Sequence, residues 1–181
     1  MGSYVLGDDK VHREDETRIS KNAWLYDTNP VVSRLSRRIS LLTGFKTEVR
    51  PYNTYAEAFQ VVNYGLGGLY GPHLDCLSKN GDTESEYSQF KDSGERVATW
   101  MFYLSDVEFG GATVFPRAKA RIPARKGTAA FWFNTFRNGL PDSRTLHAGC
   151  PVVLGDKWVA NKWLRSIGQT FIRPCALDKN L

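Results

Sequence analysis

The two residues that flank Leu74 have side chains that could hold a metal ion, and their spacing would allow them to do so together. His73 and Asp75 lie in a β-prone stretch. Alternate residues of a strand point to the same face, so the imidazole and the carboxylate would converge on one point. The pair makes two-thirds of the two-histidine, one-carboxylate facial triad that binds non-haem iron(II). On its own, the His-x-Asp triplet is weak evidence for a metal site, because most such triplets are incidental polar surface residues.

A third metal ligand would have to come from a distant part of the chain, which contains three histidines in all. His12 belongs to a polar N-terminal stretch. His147 ends a short alternating segment, 144–147, and follows His73 by 74 positions, which is enough chain to go round a β-roll and return. A single such histidine is usually a hydrogen-bonded core or surface residue. Together with the His-x-Asp triplet it becomes the candidate third ligand and catalytic residue.

Lys157 lies ten residues after His147 and makes the pattern much more specific. A lysine in a strand is usually exposed on an edge or a face, but this one lies among β-prone apolar neighbours in 155–163. A cation at this offset could reach the far carboxylate of a dicarboxylic cosubstrate. Such a charge-assisted pair is strong in a partly dry pocket.

The glycine run in 64–71 could suggest a nucleotide-binding loop. Its glycines do not follow the GxGxxG spacing, and Pro72-His73 comes next where a helix would have to begin. We therefore expect a tight turn that leads into the metal-binding strand.

One clear helix and a series of short strands would position these residues. Asn29 can cap a helix that begins at Pro30, and Gly44 is a typical stop after its last apolar residues. A second short helix is expected around 54–59. The β-prone runs are 59–64, 69–76, 96–104, 112–115, 127–134, 144–147, 151–154 and 157–164. Many short strands with such breaks predict a mainly β fold, a jelly roll (double-stranded β-helix) with flanking α-helices.

The length of 181 residues favours one domain, which we place at 18–181 after a polar, loose lead-in at 1–17. Within this domain, 79–95 is polar, holds two Lys against five Asp and Glu, and lacks a strand pattern. A long polar insertion between strands is either a mobile lid or a solvated surface loop, and both interpretations stand.

Composition narrows the function classes. Hydrophobic residues make up 41% and charged residues 24%, as in ordinary globular proteins. The net charge of +5 is scattered rather than arrayed, so no nucleic-acid partner is expected. The sequence predicts no membrane span and no signal peptide in this chain. The three cysteines form no CxxC motif, which argues against structural zinc. Their spacing is compatible with one disulfide or with three thiols.

Taken together, these stretches resemble collagen prolyl 4-hydroxylase α subunits over roughly residues 18–177. The matching stretches are 23–25 (AWL), 30–34 (PVVSR), 60–65 (QVVNYG), 70–75 (YGPHLD), 96–100 (RVATW), 110–116 (GGATVFP), 126–129 (KGTA), 147–163 and 173–175 (RPC). The resemblance implies an iron(II)- and 2-oxoglutarate-dependent dioxygenase that hydroxylates peptidyl proline at C4, with O2 as cosubstrate and L-ascorbate to rescue oxidised iron. It implies that His73, Asp75 and His147 hold the iron and that Lys157 binds the distal carboxylate of 2-oxoglutarate.

The resemblance also assigns roles around these four residues. By position, Tyr64 and Thr113 help to hold the cosubstrate. Tyr70, Arg96 and Trp163 match positions that line the peptidyl-proline site, although plain core packing competes for Trp163. The polar 79–95 segment matches a loop that closes over the peptide.

Cys150 and Cys175 match a pair that is disulfide-bonded in similar enzymes, whereas Cys76 has no role that we can assign. The implied disulfide fits the lumen of the endoplasmic reticulum. By resemblance, protein disulfide isomerase is the implied protein partner and a proline-containing protein or peptide the implied substrate.

One position departs from the family's pattern: similar enzymes usually have His where this chain has Arg165. Arginine is larger, stays charged and can contact a carboxylate. Two alternatives to a collagen-type enzyme therefore stay open. One is a 2-oxoglutarate dioxygenase that acts on another protein residue or on proline in a non-collagen protein. The other is a jelly-roll peptide-binding module with weakened catalysis.

Overall fold

Short antiparallel strands and one long helix make up the part of the chain that the structure, a computed structural model, describes, residues 4–6, 12–14, 18–48, 54–78, 94–176 and 178. The strands are β1 (Tyr4–Leu6), β2 (His12–Glu14), β3 (Lys21–Leu25), β4 (Phe59–Tyr64), β5 (Tyr70–His73), β6 (Arg96–Tyr103), β7 (Val107–Gly110), β8 (Thr113–Phe115), β9 (Ala120–Ile122), β10 (Ala129–Phe133), β11 (His147–Gly149), β12 (Val152–Gly155) and β13 (Lys157–Arg165). No helix among the described residues is long and apolar enough to cross a membrane.

Helix α1 (Pro30–Thr43) begins and ends where the sequence predicts. The Asn29 side chain accepts a hydrogen bond from the Val31 N–H, and Pro30 occupies the first turn, where its missing N–H costs nothing. Gly44 takes the left-handed conformation with φ 76° that ends the helix. The buried face of the helix, which includes Val32 and Ile39, packs on the larger sheet.

The larger sheet has the strand order β10-β6-β13-β4-β3, and its neighbouring strands are antiparallel. Its two faces pack into different hydrophobic clusters, as the side chains of β6 show. Ala98, Trp100 and Phe102 belong to the cluster beneath helix α1, whereas Met101 and Tyr103 belong to a second cluster on the opposite face. Helix α1 therefore covers one face of the sheet, and the opposite face is left to pack against other strands.

The smaller sheet, β5-β11-β8-β9, lies against this second face, and β7 pairs with β12 in a separate ribbon. Side chains join the two sheets: the Tyr103 hydroxyl donates to Thr113 at 2.9 Å, and the Thr99 hydroxyl donates to Asp75 at 2.7 Å. This two-layer antiparallel arrangement is the predicted jelly roll.

Several local predictions were wrong. The expected second helix at 54–59 is extended instead, because Ala56 bridges Leu164 and the Glu57 N–H donates to the Trp163 carbonyl. Tertiary pairing overrides the weak helical pattern there. The described part of the chain therefore contains one long helix. The N-terminal segment 1–17, which was predicted to be loose, contains two short paired strands, β1 and β2.

The strand that carries His147 begins later than expected. A 3-10 turn, Ser143–Thr145, occupies the first half of the predicted 144–147 strand, and β11 begins at His147 itself. Strands β3, β7 and β9 were not predicted. Most of the 79–95 segment, 79–93, lies outside the described residues, so neither interpretation of it is tested.

Candidate active site

Two neighbouring strands bring the three predicted metal ligands together. His73 is the last residue of β5 and His147 the first of β11, and the two are direct partners in the antiparallel register. Their ring centroids are 4.2 Å apart. Asp75 follows β5 by two residues, and the candidate ligand atoms of the three side chains all lie within 4.8 Å of one another. The sequence prediction that these three residues converge is confirmed.

Backbone carbonyl groups orient both imidazoles. His73 Nδ1 lies 2.9 Å from the Gly71 carbonyl oxygen, and His147 Nδ1 lies 3.0 Å from that of Thr145. A carbonyl only accepts, so each Nδ1 carries the proton and each Nε2 keeps its lone pair. The two Nε2 atoms face the Asp75 carboxylate, at 3.6 Å from Oδ1 for His73 and 3.8 Å from Oδ2 for His147.

Burial sets the charge of this group. Burial first, and neighbouring His147 second, lower the pKa of His73 to about 4 against the opposing effect of Asp75, so the ring is neutral at pH 7. Burial would raise the pKa of Asp75, but His147, His73 and the Thr99 hydroxyl outweigh it, and the pKa lies below its usual value. A neutral imidazole with a free Nε2, a second oriented imidazole and a carboxylate fit non-haem iron(II).

Lys157 is the second predicted anchor, and it is 3% exposed. It begins β13 and pairs with Tyr64, the last residue of β4. Its ammonium group donates to the Thr113 hydroxyl at 3.3 Å and lies 5.4 Å from the centre of the Tyr64 ring. The three residues predicted to hold the cosubstrate therefore lie in one pocket.

This pocket is suited to an anion. Within the described part of the chain no carboxylate pairs with Lys157, and burial lowers its pKa to about 8. Burial also raises the pKa of Tyr64, and it raises that of Tyr103 to about 12, so both phenols stay neutral. A buried cation without an acidic partner gains most from a carboxylate supplied by a ligand. Tyr103, whose hydroxyl bonds Thr113, is a site residue that sequence reasoning missed.

The three residues expected to line the peptide site lie in two groups. Tyr70 stacks on His73 with ring centroids 3.7 Å apart. Arg96 lies over the Trp163 ring, with Cζ 3.8 Å from its centre. Arg96 also makes a two-pronged ion pair with Glu57, at 2.6 and 2.8 Å. Trp163 is the cross-strand partner of Thr99, whose hydroxyl donates to Asp75, so this second group adjoins the predicted metal ligands.

Arg165, the departure from the family's pattern, binds the same carboxylate as Arg96. Its Nε lies 3.1 Å from Glu57 Oε1, and it donates to the Gly94 carbonyl at 2.7 Å. Arg165 and Arg96 are direct partners across β13 and β6. Glu57 thus joins two guanidinium groups. Its role was missed because Glu57 stood inside the wrongly predicted helix.

The cysteines are not joined. Cys76, Cys150 and Cys175 are all free thiols in the structure, so the disulfide that the resemblance implied between Cys150 and Cys175 is not formed here. Burial raises the pKa of Cys76 to about 12, with Glu95 and Asp75 adding to the effect. A thiol with this pKa is a poor nucleophile.

The glycine run forms the expected tight turn before β5. Gly67 has φ 75°, and the Gly68 N–H donates to the Gly65 carbonyl at 2.7 Å. A Cβ at Gly68 would lie 2.7 Å from that oxygen and 2.9 Å from Tyr64 Cα. The turn therefore needs glycine, and it links the end of β4 to the start of β5.

Known proteins are similar to this chain in sequence. Residues 59–165 match the model of the 2OG-Fe(II) oxygenase superfamily. The chain is 51% identical over 166 residues to the human prolyl 4-hydroxylase subunit alpha-1, covering 90% of this chain and 29% of that protein. It is 53% identical over 173 residues to human subunit alpha-3, covering 95% and 30%. The chain thus spans less than a third of the length of these relatives.

Solved structures are similar as well. A 2OG complex of a viral collagen prolyl hydroxylase from Paramecium Bursaria Chlorella virus-1 superposes with a TM-score of 0.67 at 30% identity, covering 81% of this chain and 78% of that one. A prolyl hydroxylase from Trichoplax adhaerens, in complex with a hypoxia inducible factor peptide fragment, matches with a TM-score of 0.60 at 18% identity, covering 90% and 70%. The second likeness concerns the fold alone.

Proposed function

Since the chain belongs to the 2OG-Fe(II) oxygenase superfamily, we propose that it hydroxylates peptidyl proline at C4 in collagen-like or Pro-rich peptides. The reaction consumes 2-oxoglutarate and O2 and yields succinate and CO2, so that one oxygen atom enters proline and the other enters succinate. The observation that carries this proposal is the convergence of His73, Asp75 and His147 opposite a pocket that buries Lys157. The prolyl hydroxylase names of its relatives suggest the substrate.

The chain's own residues would prepare the metal site before any substrate arrives. His73 and His147 would bind iron(II) through Nε2, because a backbone carbonyl holds each Nδ1 proton. The Asp75 carboxylate would complete the protein's share of the ligands. Iron(II), when bound, supplies the activation of O2 that a C–H oxidation requires. The residues themselves orient and shield the reacting groups.

The Lys157 pocket would fix the orientation of 2-oxoglutarate. Its ammonium group is the natural partner for the distal carboxylate, and the Thr113 and Tyr64 side chains lie beside it. Gly149 borders the same pocket: a Cβ there would lie 3.6 Å from Lys157 Nζ. Glycine at this position leaves room next to the cation for the cosubstrate.

The peptide would lie against Tyr70 and Arg96, and Trp163, which is buried at 6% exposure, would line the site from beneath Arg96. Tyr70 already stacks on the ligand His73, so a proline ring packed against Tyr70 would lie close to the metal. Glu57 holds Arg96 rigidly over Trp163. A fixed guanidinium is well suited to donate to a peptide carbonyl, because little side-chain entropy is lost on binding.

Further properties are proposed from the relatives' names and from the resemblance of the sequence motifs. L-Ascorbate would restore iron that is oxidised in uncoupled cycles. The endoplasmic reticulum lumen would be the compartment, as the resemblance to collagen prolyl 4-hydroxylase α subunits implies. Protein disulfide isomerase would be the partner subunit, and Cys150 and Cys175 would pair in that oxidising compartment. The two thiols are unpaired in the structure, so this pairing requires both side chains to meet.

Mass spectrometry of a (Pro-Pro-Gly)-type peptide tests the proposal. After incubation with iron(II), 2-oxoglutarate and ascorbate, the peptide should gain one oxygen on a proline, and one succinate should form for each oxygen gained. The His147→Ala variant is the control that should give neither product. Hydroxylation of lysyl but not prolyl peptides would reject proline as the substrate. Peptide binding without succinate release would identify a binding module instead of an enzyme.

A further inference from the structure

The metal ligand Asp75 has a buried hydroxyl partner on the facing sheet. Thr99, in the middle of β6, donates to Asp75 Oδ2 at 2.7 Å. Both residues are buried, Thr99 at 1% exposure. The backbone of Thr99 is held on both sides, because the residue pairs with Trp132 of β10 and with Trp163 of β13. The hydroxyl is therefore fixed by the centre of the larger sheet.

A third residue, Asn134, sets the direction of this hydrogen bond. Thr99 Oγ1 lies 3.2 Å from Asn134 Oδ1 and 3.0 Å from Nδ2. The hydroxyl has one proton, and the ionised carboxylate is both the nearer and the stronger acceptor, so the proton goes to Asp75. Oγ1 then accepts from Asn134 Nδ2, whose other proton goes to the Arg96 carbonyl at 3.1 Å.

These contacts form a one-way chain of donors that runs from Asn134 through Thr99 to Asp75. Each donor polarises the next, which strengthens the last bond in a low-dielectric interior. Asn134 is itself anchored by its backbone, which donates to the Val97 carbonyl at 2.9 Å and accepts from the Asp142 N–H at 2.9 Å. Asn134 lies one residue beyond β10, and these two backbone hydrogen bonds tie it to β6 and to Asp142, so both side chains of the donor chain have a fixed backbone.

We propose that Thr99 and Asn134 are positioning residues for the metal site: they hold Asp75 Oδ2 so that Oδ1 faces the metal ion. This inference rests on the proposed function only in taking the His73, Asp75 and His147 group as an iron(II) site. Asp75 follows the last residue of β5 by two positions and lies outside the strand, so its own backbone fixes it less firmly than a strand would. Its carboxylate needs a partner from the facing sheet.

Anaerobic iron(II) titration of the Thr99→Val variant tests the inference. Valine keeps the β-branched shape and removes only the hydroxyl, and loss of an outer-shell partner typically weakens metal binding about 10- to 100-fold. We expect a loss in that range for Thr99→Val and recovery of affinity for Thr99→Ser. Thr47→Val, which removes a buried hydroxyl bonded to Ser36 far from the site, is the matched control and should bind iron(II) as wild type does.

Asn134→Ala should weaken binding by a smaller factor, and it should add little to Thr99→Val, since Asn134 acts through Thr99. If Thr99→Val does not fold, Asn134→Ala carries the test, and wild-type affinity in that variant overturns the inference. Folded Thr99→Val with wild-type iron(II) affinity also overturns it, whatever the enzyme hydroxylates. Conversely, wild-type protein that binds iron(II) without hydroxylating proline rejects the proposed function and leaves this inference intact.

Discussion

Replacing Lys157 by Met should stabilise the protein without ligand while it weakens 2-oxoglutarate binding. Burial of the ammonium group lowers its pKa from 10.5 to about 8. A tenfold decrease in proton affinity corresponds to about 1.4 kcal/mol. The buried charge therefore lowers the free energy of unfolding by roughly 3 kcal/mol below pH 8. Methionine removes this cost and loses one hydrogen bond to Thr113, worth about 1 kcal/mol. The expected net gain in the free energy of unfolding at pH 7 is about 2 kcal/mol.

The pH dependence of stability separates this cause from better packing. Between pH 8 and pH 10.5 the lysine is neutral in the folded protein but still protonated in the unfolded chain, so unfolding takes up a proton. The stability of wild type relative to Lys157→Met should therefore rise with pH across this window. Below pH 8 the difference between the two proteins should be constant and at its largest.

The same variant should bind 2-oxoglutarate far less well. Loss of a charge-assisted hydrogen bond costs about 1.5–3 kcal/mol, which corresponds to a roughly 10- to 100-fold higher KM for 2-oxoglutarate. Lys162→Met is the matched control on the same strand. Lys162 is also buried, but its ammonium group already pairs with Asp27 at 3.2 Å, so its replacement should leave the KM for 2-oxoglutarate unchanged.

Urea denaturation across pH, together with succinate assays, measures all of these quantities. A Lys157→Met variant that is less stable than wild type at pH 7, or a stability difference that does not change between pH 8 and 10.5, would refute the argument about the buried charge. An unchanged KM for 2-oxoglutarate would refute the role assigned to Lys157.

Two further predictions concern the surroundings of the site. Glu57→Gln should lower the free energy of unfolding by about 3 kcal/mol, because it removes the carboxylate shared by two largely buried arginines. Arg165→Ala should lower it by less, since the Arg96–Glu57 pair survives. Equal losses of stability for the two variants in urea denaturation would contradict this. Gly68→Ala should cost about 1–3 kcal/mol because its Cβ would meet backbone atoms. Gly65→Ala, which meets nothing within 4 Å, is the control, and equal stability of the two glycine variants would argue against the tight turn.

Part of the site could be predicted from the sequence because its signals are local or fixed by strand geometry, whereas His147 was a candidate because the chain has three histidines. His73 and Asp75 are two residues apart, and Lys157 stands out as a charge among apolar neighbours. The helix from Pro30 was predictable for the same reason, since Asn29 and Gly44 mark its two ends. Each of these signals needs only a few neighbouring residues.

The supporting residues could not be predicted, because their roles depend on contacts between distant strands. Thr99 is an ordinary strand residue until Asp75 is placed opposite to it. Glu57 is 39 positions from Arg96 in the sequence and looked like part of a helix. The pairing of Ala56 with Leu164 reversed that expectation. Long-range pairing decides such weak local patterns.

The central claim is that His73, Asp75 and His147 hold iron(II) while Lys157 faces the cosubstrate. Anomalous diffraction at the iron edge, from crystals grown without oxygen in iron(II) and 2-oxoglutarate, tests it most directly. We predict one iron peak bound by both Nε2 atoms and Asp75 Oδ1, with the distal carboxylate of 2-oxoglutarate on Lys157 Nζ. An iron peak elsewhere, or a distal carboxylate held by another side chain, would contradict the account.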